Sequence, residues 1–308
     1  MTTFLRVMFS IGVAEFVLGN FANAFIALVN FIDWVQRRRI TSADAILTAL
    51  AVSRISLLWV IMVYEFVIRF GPTLYRGKTR LVFGIAWAIT NHFSSWTATL
   101  LIIFYFLKIA NFSNLTFLHL RRRVTRVMVL VLLGTSVFLC ADIALLHVCG
   151  EMRMEGCEGN ATWNKEVRDT LKLSTSALVM LMAFIPFVTS LVCVLLLIYS
   201  LCRHLKRMEC HTDRSRDGST SVHVKALCTM ISFLLLFTMN SLLIIAASWR
   251  SYMPLDAWIQ LLLQTFALFY PSSHSYVLIW GNRKLKQAFL LVLGQVRLWL
   301  RDWKPFRL

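Results

Sequence analysis

The chain has 308 residues, of which 58% are hydrophobic, and carries 32 Lys and Arg against 15 Asp and Glu, a formal charge of +17. A soluble domain uses about 45 to 50% apolar residues, so this composition makes a lipid bilayer the natural solvent and excludes an ordinary water-soluble protein. The basic residues fall between long apolar runs rather than on one water-facing surface, which argues against a nucleic-acid binder, and the seven Cys show no C-x-x-C pair or His spacing that would build a metal site.

The first apolar stretch, Val7 to about Ile32, exceeds the 7 to 15 residues of a signal-peptide core, and no A-x-A cleavage site follows it. It reads as a retained span. A helix crossing the hydrocarbon core needs about 20 mostly apolar residues, and the candidates in chain order are Phe9 to Ile32, Ala45 to Ile68, Leu81 to Ile109, Val124 to Val148, Thr175 to Cys202, Ala226 to Ser248 and Trp258 to Trp280. These make an all-α membrane protein, a seven-transmembrane helix bundle. After Gly281, residues 282 to 300 place Leu285, Ala288, Phe289, Val292 and Val296 on one helical stripe, with Arg283, Lys284, Lys286 and Arg297 available to anionic headgroups. A short amphipathic surface helix is expected there. No linker or low-complexity tract interrupts the chain, so residues 1 to 308 read as one domain.

Lys and Arg are biased towards cytoplasmic loops. The loops after the first, third and fifth spans and the tail together hold 21 of them, and the opposite side holds ten. This orientation places the amino terminus outside and the carboxyl terminus in the cytoplasm of a multi-pass plasma-membrane protein. Four basic residues between Arg69 and Arg80 lie on the outer side, so the bias holds in sum rather than at every loop. Asn160-Ala161-Thr162, in the longest outer loop, is a glycosylation acceptor.

Polar side chains within a span are costly unless they face the bundle interior, which singles out Asn23, Asn30, Arg54, Glu65, Asn91, His92, Asp142, Asn240, Gln264 and His274. Arg54 needs acceptors such as the Asn23 side-chain oxygen or helix carbonyls, and reads first as a helix-to-helix clamp. Trp87 and Asn91 lie four apart on one stripe that Ser94, Ser95 and Ala98 continue inward. That stripe is either an aromatic wall with a polar hook or an interfacial Trp beside an Asn bonded to a neighbouring helix. Arg69, one turn beyond Glu65, is placed to neutralise it. Pro186 and Pro271 break the hydrogen-bond ladder inside helical runs.

Read in their local strings, these residues are distinctive. Phe25-Ile26-Ala27-Leu28-Val29-Asn30, Asp44-Ala45-Ile46-Leu47-Thr48, Leu50-Ala51-Val52-Ser53-Arg54, Asn91-His92-Phe93-Ser94-Ser95-Trp96, Phe104-Tyr105-Phe106-Leu107-Lys108-Ile109-Ala110, Pro186-Phe187, Tyr270-Pro271-Ser272-Ser273-His274-Ser275 and Gly281-Asn282-Arg283-Lys284-Leu285 recur in order across most spans. In these strings the chain resembles the bitter taste receptors, the type 2 taste-receptor family of G-protein-coupled receptors. The resemblance implies that a small bitter molecule enters the outer half of the bundle and stabilises an arrangement that engages a heterotrimeric G protein, gustducin or another with an inhibitory-class alpha subunit. It implies ligand contacts at Trp87, Asn91 and Gln264, with Ser94, Asn240 and Glu65 as neighbours; Glu65, if unpaired, would favour cationic ligands. An activation network is expected among Asn23, Arg54, Tyr105, Lys108, His274 and Ser275. Asn240 stands where many members carry an aromatic facing the pocket floor. With no Cys near the outer end of the third span, the common receptor disulfide to the second outer loop is impossible, while Cys149 and Cys157 remain able to pair within that loop.

A secondary transporter would show repeated hydropathy and paired broken helices, and an intramembrane enzyme a reactive pair. Neither pattern is present, which leaves a transporter or channel as the weaker reading and argues against an enzyme. Arg121 to Arg126 and Arg203 to Lys225 suit either topology-setting charge or docking of a G protein's acidic surface.

Overall fold

In lipid every backbone polar group must be satisfied within the protein, which confines spanning segments of this composition to helices. The computed structural model describes residues 2–37, 41–71, 73, 78–110, 112–157, 165–209, 217–248 and 256–302, and the described elements are helical. They are α1 (Thr2–Arg37), α2 (Ser42–Phe70), α3 (Lys78–Ile109), α4 (Leu115–Arg122), α5 (Val124–Cys157), α6 (Lys165–Glu209), α7 (Asp217–Ser248), α8 (Ala257–Gly281) and α9 (Arg283–Asp302). Six of them, α1, α2, α3, α5, α6 and α7, are long and apolar enough to cross a membrane. The seventh span of the bundle, α8, is less apolar because Gln260, Gln264, Ser272, Ser273, His274 and Ser275 lie along it, and it packs against α1, α7 and α2.

The helices close into a ring. Consecutive spans touch, α8 returns to α1, and α3 runs through the middle against α2, α5 and α6. Every residue of α3 from Ser94 to Phe104 is buried. α5 sits at the periphery and turns Leu130, Leu133 and Val137 outward, each more than 60% exposed, as lipid-facing side chains should be. The main core gathers Ile26, Leu47, Leu50, Leu101, Val194, Phe237, Tyr270, Ile279 and Leu285 from six spans and α9.

Caps fix the helix starts at the end of the bundle that carries α9. The Thr41 hydroxyl accepts from the Asp44 amide at 3.1 Å to begin α2, the Asn114 side chain accepts from the Thr116 amide at 3.0 Å to begin α4, and Asn282 accepts from the amides of Lys284 and Leu285 at 3.0 and 3.3 Å to begin α9. At the α8–α9 corner a Cβ on Gly281 would lie 2.6 Å from Thr229 Cγ2, so only glycine lets α8 meet α7 so closely.

Several boundaries differ from expectation. The sequence predicts an outer loop from 149 to 174, but α5 continues to Cys157 and α6 starts at Lys165, so both helices project past the apolar run. α6, at 45 residues, is about 68 Å long at 1.5 Å per residue, against a hydrocarbon core of about 30 Å. Helical backbone hydrogen bonds continue into polar sequence once started, and hydropathy does not mark where they stop. Cys149 and Cys157 therefore stand on one helix, eight residues or about 12 Å apart along its axis. Cys149 is a free thiol with its sulfur 3.6 Å from the Thr175 hydroxyl. α4, at 8 residues, is too short and polar to register as a span in the sequence. Asn160 lies outside the described residues, as do Arg38, Arg39, Arg214 and Arg216.

Candidate functional site

Two polar constellations occupy the bundle, one above the other. Nearer the end that carries the amino terminus, Trp87 stands nine residues into α3, Gln264 seven into α8, and Glu65 and Asn240 five and eight residues from the ends of α2 and α7. At 1.5 Å per residue all four lie within about 14 Å of the helix ends. Trp87 packs inward on one side. It is half-buried against the cluster of Leu57, Leu58, Ile61 and Leu268, which joins α2 to α8. Asn91, one turn on, is half-buried and makes no side-chain hydrogen bond among the described residues, so its amide is available as donor and acceptor. Ser94 is buried, with its hydroxyl lacking a partner among the described residues.

Glu65 is accounted for differently from the role the resemblance implies. Its carboxylate accepts from Arg69 Nε at 3.1 Å and Nη2 at 3.0 Å, an i,i+4 ion pair, and the same guanidinium lies 4.9 Å from the Phe9 ring centroid. A cationic ligand would meet a carboxylate already neutralised by its own helix.

Below this level Arg54 is fully buried. Its guanidinium donates to Ser275 Oγ at 3.2 Å, hydrogen-bonds His274 Nδ1, and stands 5.1 Å from the Tyr270 ring centroid. The clamp runs to side chains of α8, neither straight to Asn23 nor to the helix carbonyls that the sequence also allows. Ser275 supplies the relay: its hydroxyl donates to Asn23 Oδ1 at 2.7 Å, and Asn23 Nδ2 donates to the carbonyls of Gly19 and Pro271 at 2.8 and 3.3 Å. The Pro271 carbonyl also accepts from Ser275 at 2.9 Å. Asn23, Arg54, His274 and Ser275 are thus brought into one network across α1, α2 and α8. Sequence reasoning missed Tyr270, which stacks on His274 and on Phe237, while Phe237 meets Phe187 and Phe233. Asn240 lies three residues from Phe237, so an aromatic contact between α7 and α8 exists one turn below the position where Asn240 stands.

Tyr105 and Lys108 do not join that network. They lie at the α9 end of α3, where Lys108 is exposed with its ammonium 5.9 Å from the Phe104 ring and its carbonyl accepting from Arg121 at 3.4 Å. Elsewhere in the bundle Thr99 links α3 to α6: Ser190 donates to its hydroxyl at 3.1 Å, and that hydroxyl lies 3.0 and 3.4 Å from the Ser95 and Pro186 carbonyls, to which it donates. Two more buried groups stand apart. His92 on α3 and Asp142 on α5 are 3% and 1% exposed, and both His92 ring nitrogens and Asp142 Oδ1 have no hydrogen-bond partner among the described residues.

Comparison with known proteins fits this architecture. A family model described as taste receptor protein (TAS2R) matches residues 1–297. The chain is 48% identical over 302 residues to taste receptor type 2 member 20 of Homo sapiens, covering 98% of each chain. It is 50% identical over 297 residues to taste receptor type 2 member 19 of Pan paniscus, 96% of this chain and 99% of the relative. It is also 48% identical over 306 residues to putative taste receptor type 2 member 33 of Homo sapiens, covering 99% of each.

Proposed function

The chain belongs to the type 2 taste receptor family, and from that premise we propose that it senses bitter small molecules through a pocket lined by Trp87, Asn91 and Gln264 and passes the signal to a gustducin-type G protein. It is a multi-pass membrane receptor and not an enzyme. The observation that carries the pocket is the position of Trp87, held half-buried against Leu57, Leu58, Ile61 and Leu268 with the uncommitted Asn91 amide one turn away. A planar or apolar ligand would stack on the indole, while Asn91 and Gln264 would supply hydrogen bonds, with Asn240 near the level of Trp87 and Ser94 further in.

The pocket opens to the outside if the amino terminus is extracellular, the orientation that the Lys and Arg distribution supports. An agonist activates only by binding the active arrangement more tightly than the resting one. The Arg54 network lies directly beneath the pocket, and it offers α1, α2 and α8 a shared set of hydrogen bonds whose rearrangement such a ligand would bias. Arg121 to Arg126 and the basic residues from Arg203 to Lys225 would meet the G protein's acidic surface on the inner side.

The test is a calcium-flux screen of diverse bitter compounds on cells expressing the chain with a gustducin-type G protein. Concentration-dependent responses that vanish without the receptor are expected. A receptor present at the cell surface and silent to the whole panel would overturn the reading.

A further inference from the structure

The side chain of Lys284, in the first turn of α9, reaches three acceptors on two other helices. Its ammonium lies 2.9 Å from Asp33 Oδ2 and 3.1 Å from Asn30 Oδ1, both on α1, and 3.2 Å from Asp44 Oδ1 on α2. An ammonium has three donors and no acceptor, so this set matches it fully. The acceptors are themselves held. Asp44 Oδ2 accepts from Thr41 at 2.7 Å, and Asn30 Nδ2 donates to the Asp44 carbonyl at 3.4 Å and to Thr48 at 3.3 Å.

The position is unfavourable for a lysine on local grounds. A cation at a helix amino terminus opposes the helix dipole, so the surrounding carboxylates and not the helix keep Lys284 there. Beyond Leu285, Ala288 and Phe289, which pack on the core, α9 exposes Leu290 to Leu293, Val296, Leu298 and Trp299. The clasp and one apolar turn are therefore what set the angle at which α9 leaves the bundle.

We propose that Lys284 is a positioning residue for G-protein engagement: its ammonium pins α9 to the ends of α1 and α2, and the rim so formed is the platform on which the activated receptor meets its G protein. This rests on the receptor reading above and on the inward orientation of the α9 end. A side chain that only stabilised the fold would change the amount of receptor. A positioning residue changes the signal obtained from each receptor while leaving the ligand end alone.

The experiment uses the full-length chain, with surface receptor counted by an extracellular amino-terminal epitope and G-protein activation read by subunit dissociation at low receptor density. For Lys284→Gln the maximal response per surface receptor falls at least threefold, the agonist concentration for half-maximal response stays within threefold, and Lys284→Arg restores most of the maximum. A Lys284→Gln receptor with a wild-type maximum overturns the proposal, and so does a half-maximal concentration that shifts in proportion to the lost response. If Lys284→Gln does not reach the surface, Asp33→Ala, which removes one of the three acceptors and its charge, is read instead, and an unchanged maximum there overturns it equally. Silence of the wild-type receptor to every bitter compound would be a failure of the receptor reading and not of the clasp.

Discussion

Arg54 on α2 and Ser275 on α8 are joined at 3.2 Å in the middle of the bundle, 221 residues apart in sequence. The contact gives a buried guanidinium an acceptor and at the same time orients the serine hydroxyl towards Asn23, so three helices share one chain of donors and acceptors. Replacing Arg54 with Met leaves His274 Nδ1 without its partner and takes a donor away from Ser275. The expected cost is about 3 kcal/mol, the scale of losing a hydrogen bond to a charged group and leaving its partners unsatisfied. Arg54→Lys recovers little, because an ammonium cannot present the planar fork that meets two partners at once. Thermal denaturation of purified receptor in detergent reads the loss, and wild-type stability in Arg54→Met would contradict the network.

Trp87→Ala and Asn91→Ala weaken activation while leaving receptor on the surface. Removing a buried aromatic contact or a ligand hydrogen bond costs about 1 to 3 kcal/mol, roughly 5- to 150-fold in potency. Concentration–response curves in calcium flux measure it. Intact potency and maximum for every agonist tested would remove both residues from the site.

Glu65→Gln tests the ion pair. Because Arg69 already neutralises Glu65, the substitution shifts cationic and neutral agonists alike, within about threefold. A loss of more than tenfold confined to cationic agonists would mean that the carboxylate is a counter-ion for ligand after all.

At Gly19, α1 lies close against α8 and α2. A Cβ there would collide with the Ser272 hydroxyl and lie 2.9 Å from Leu58 Cδ1. Gly19→Ala is expected to destabilise by about 1 to 3 kcal/mol through overpacking. Gly134 on α5 has nothing within 4 Å of the same position, so Gly134→Ala is neutral or stabilising by up to about 1 kcal/mol, the helix-propensity gain. Paired melting curves of the two variants decide it: equal shifts would refute the close contact.

The spans were legible because a bilayer imposes a length and a composition that few other structures share, and every expected span has a helix at its position. Arg54 stood out for the same reason, since an unpaired guanidinium in hydrocarbon cannot be ignored. Its partners did not, because solvation cost says that an acceptor must exist and not which helix supplies it. Lys284, Asp33 and Asp44 were hidden for a different reason. They sit near helix ends, where charges are ordinarily solvated, and 240 or more residues separate the lysine from its acceptors. Two acidic residues beside the basic first loop were the available clue. Tyr270 was read as part of a sequence string, and only its stacking between Phe237 and His274 assigns it a structural place.

The closure of the ring between α1 and α8 also sets the order in which this protein is completed. Asn23 and Arg54 enter the membrane early in synthesis, while the Pro271 carbonyl, His274 and Ser275 that satisfy them are added some 220 residues later. Until then the nascent chain carries an uncompensated guanidinium in the bilayer, which makes the half-made receptor dependent on the translocation machinery for shelter.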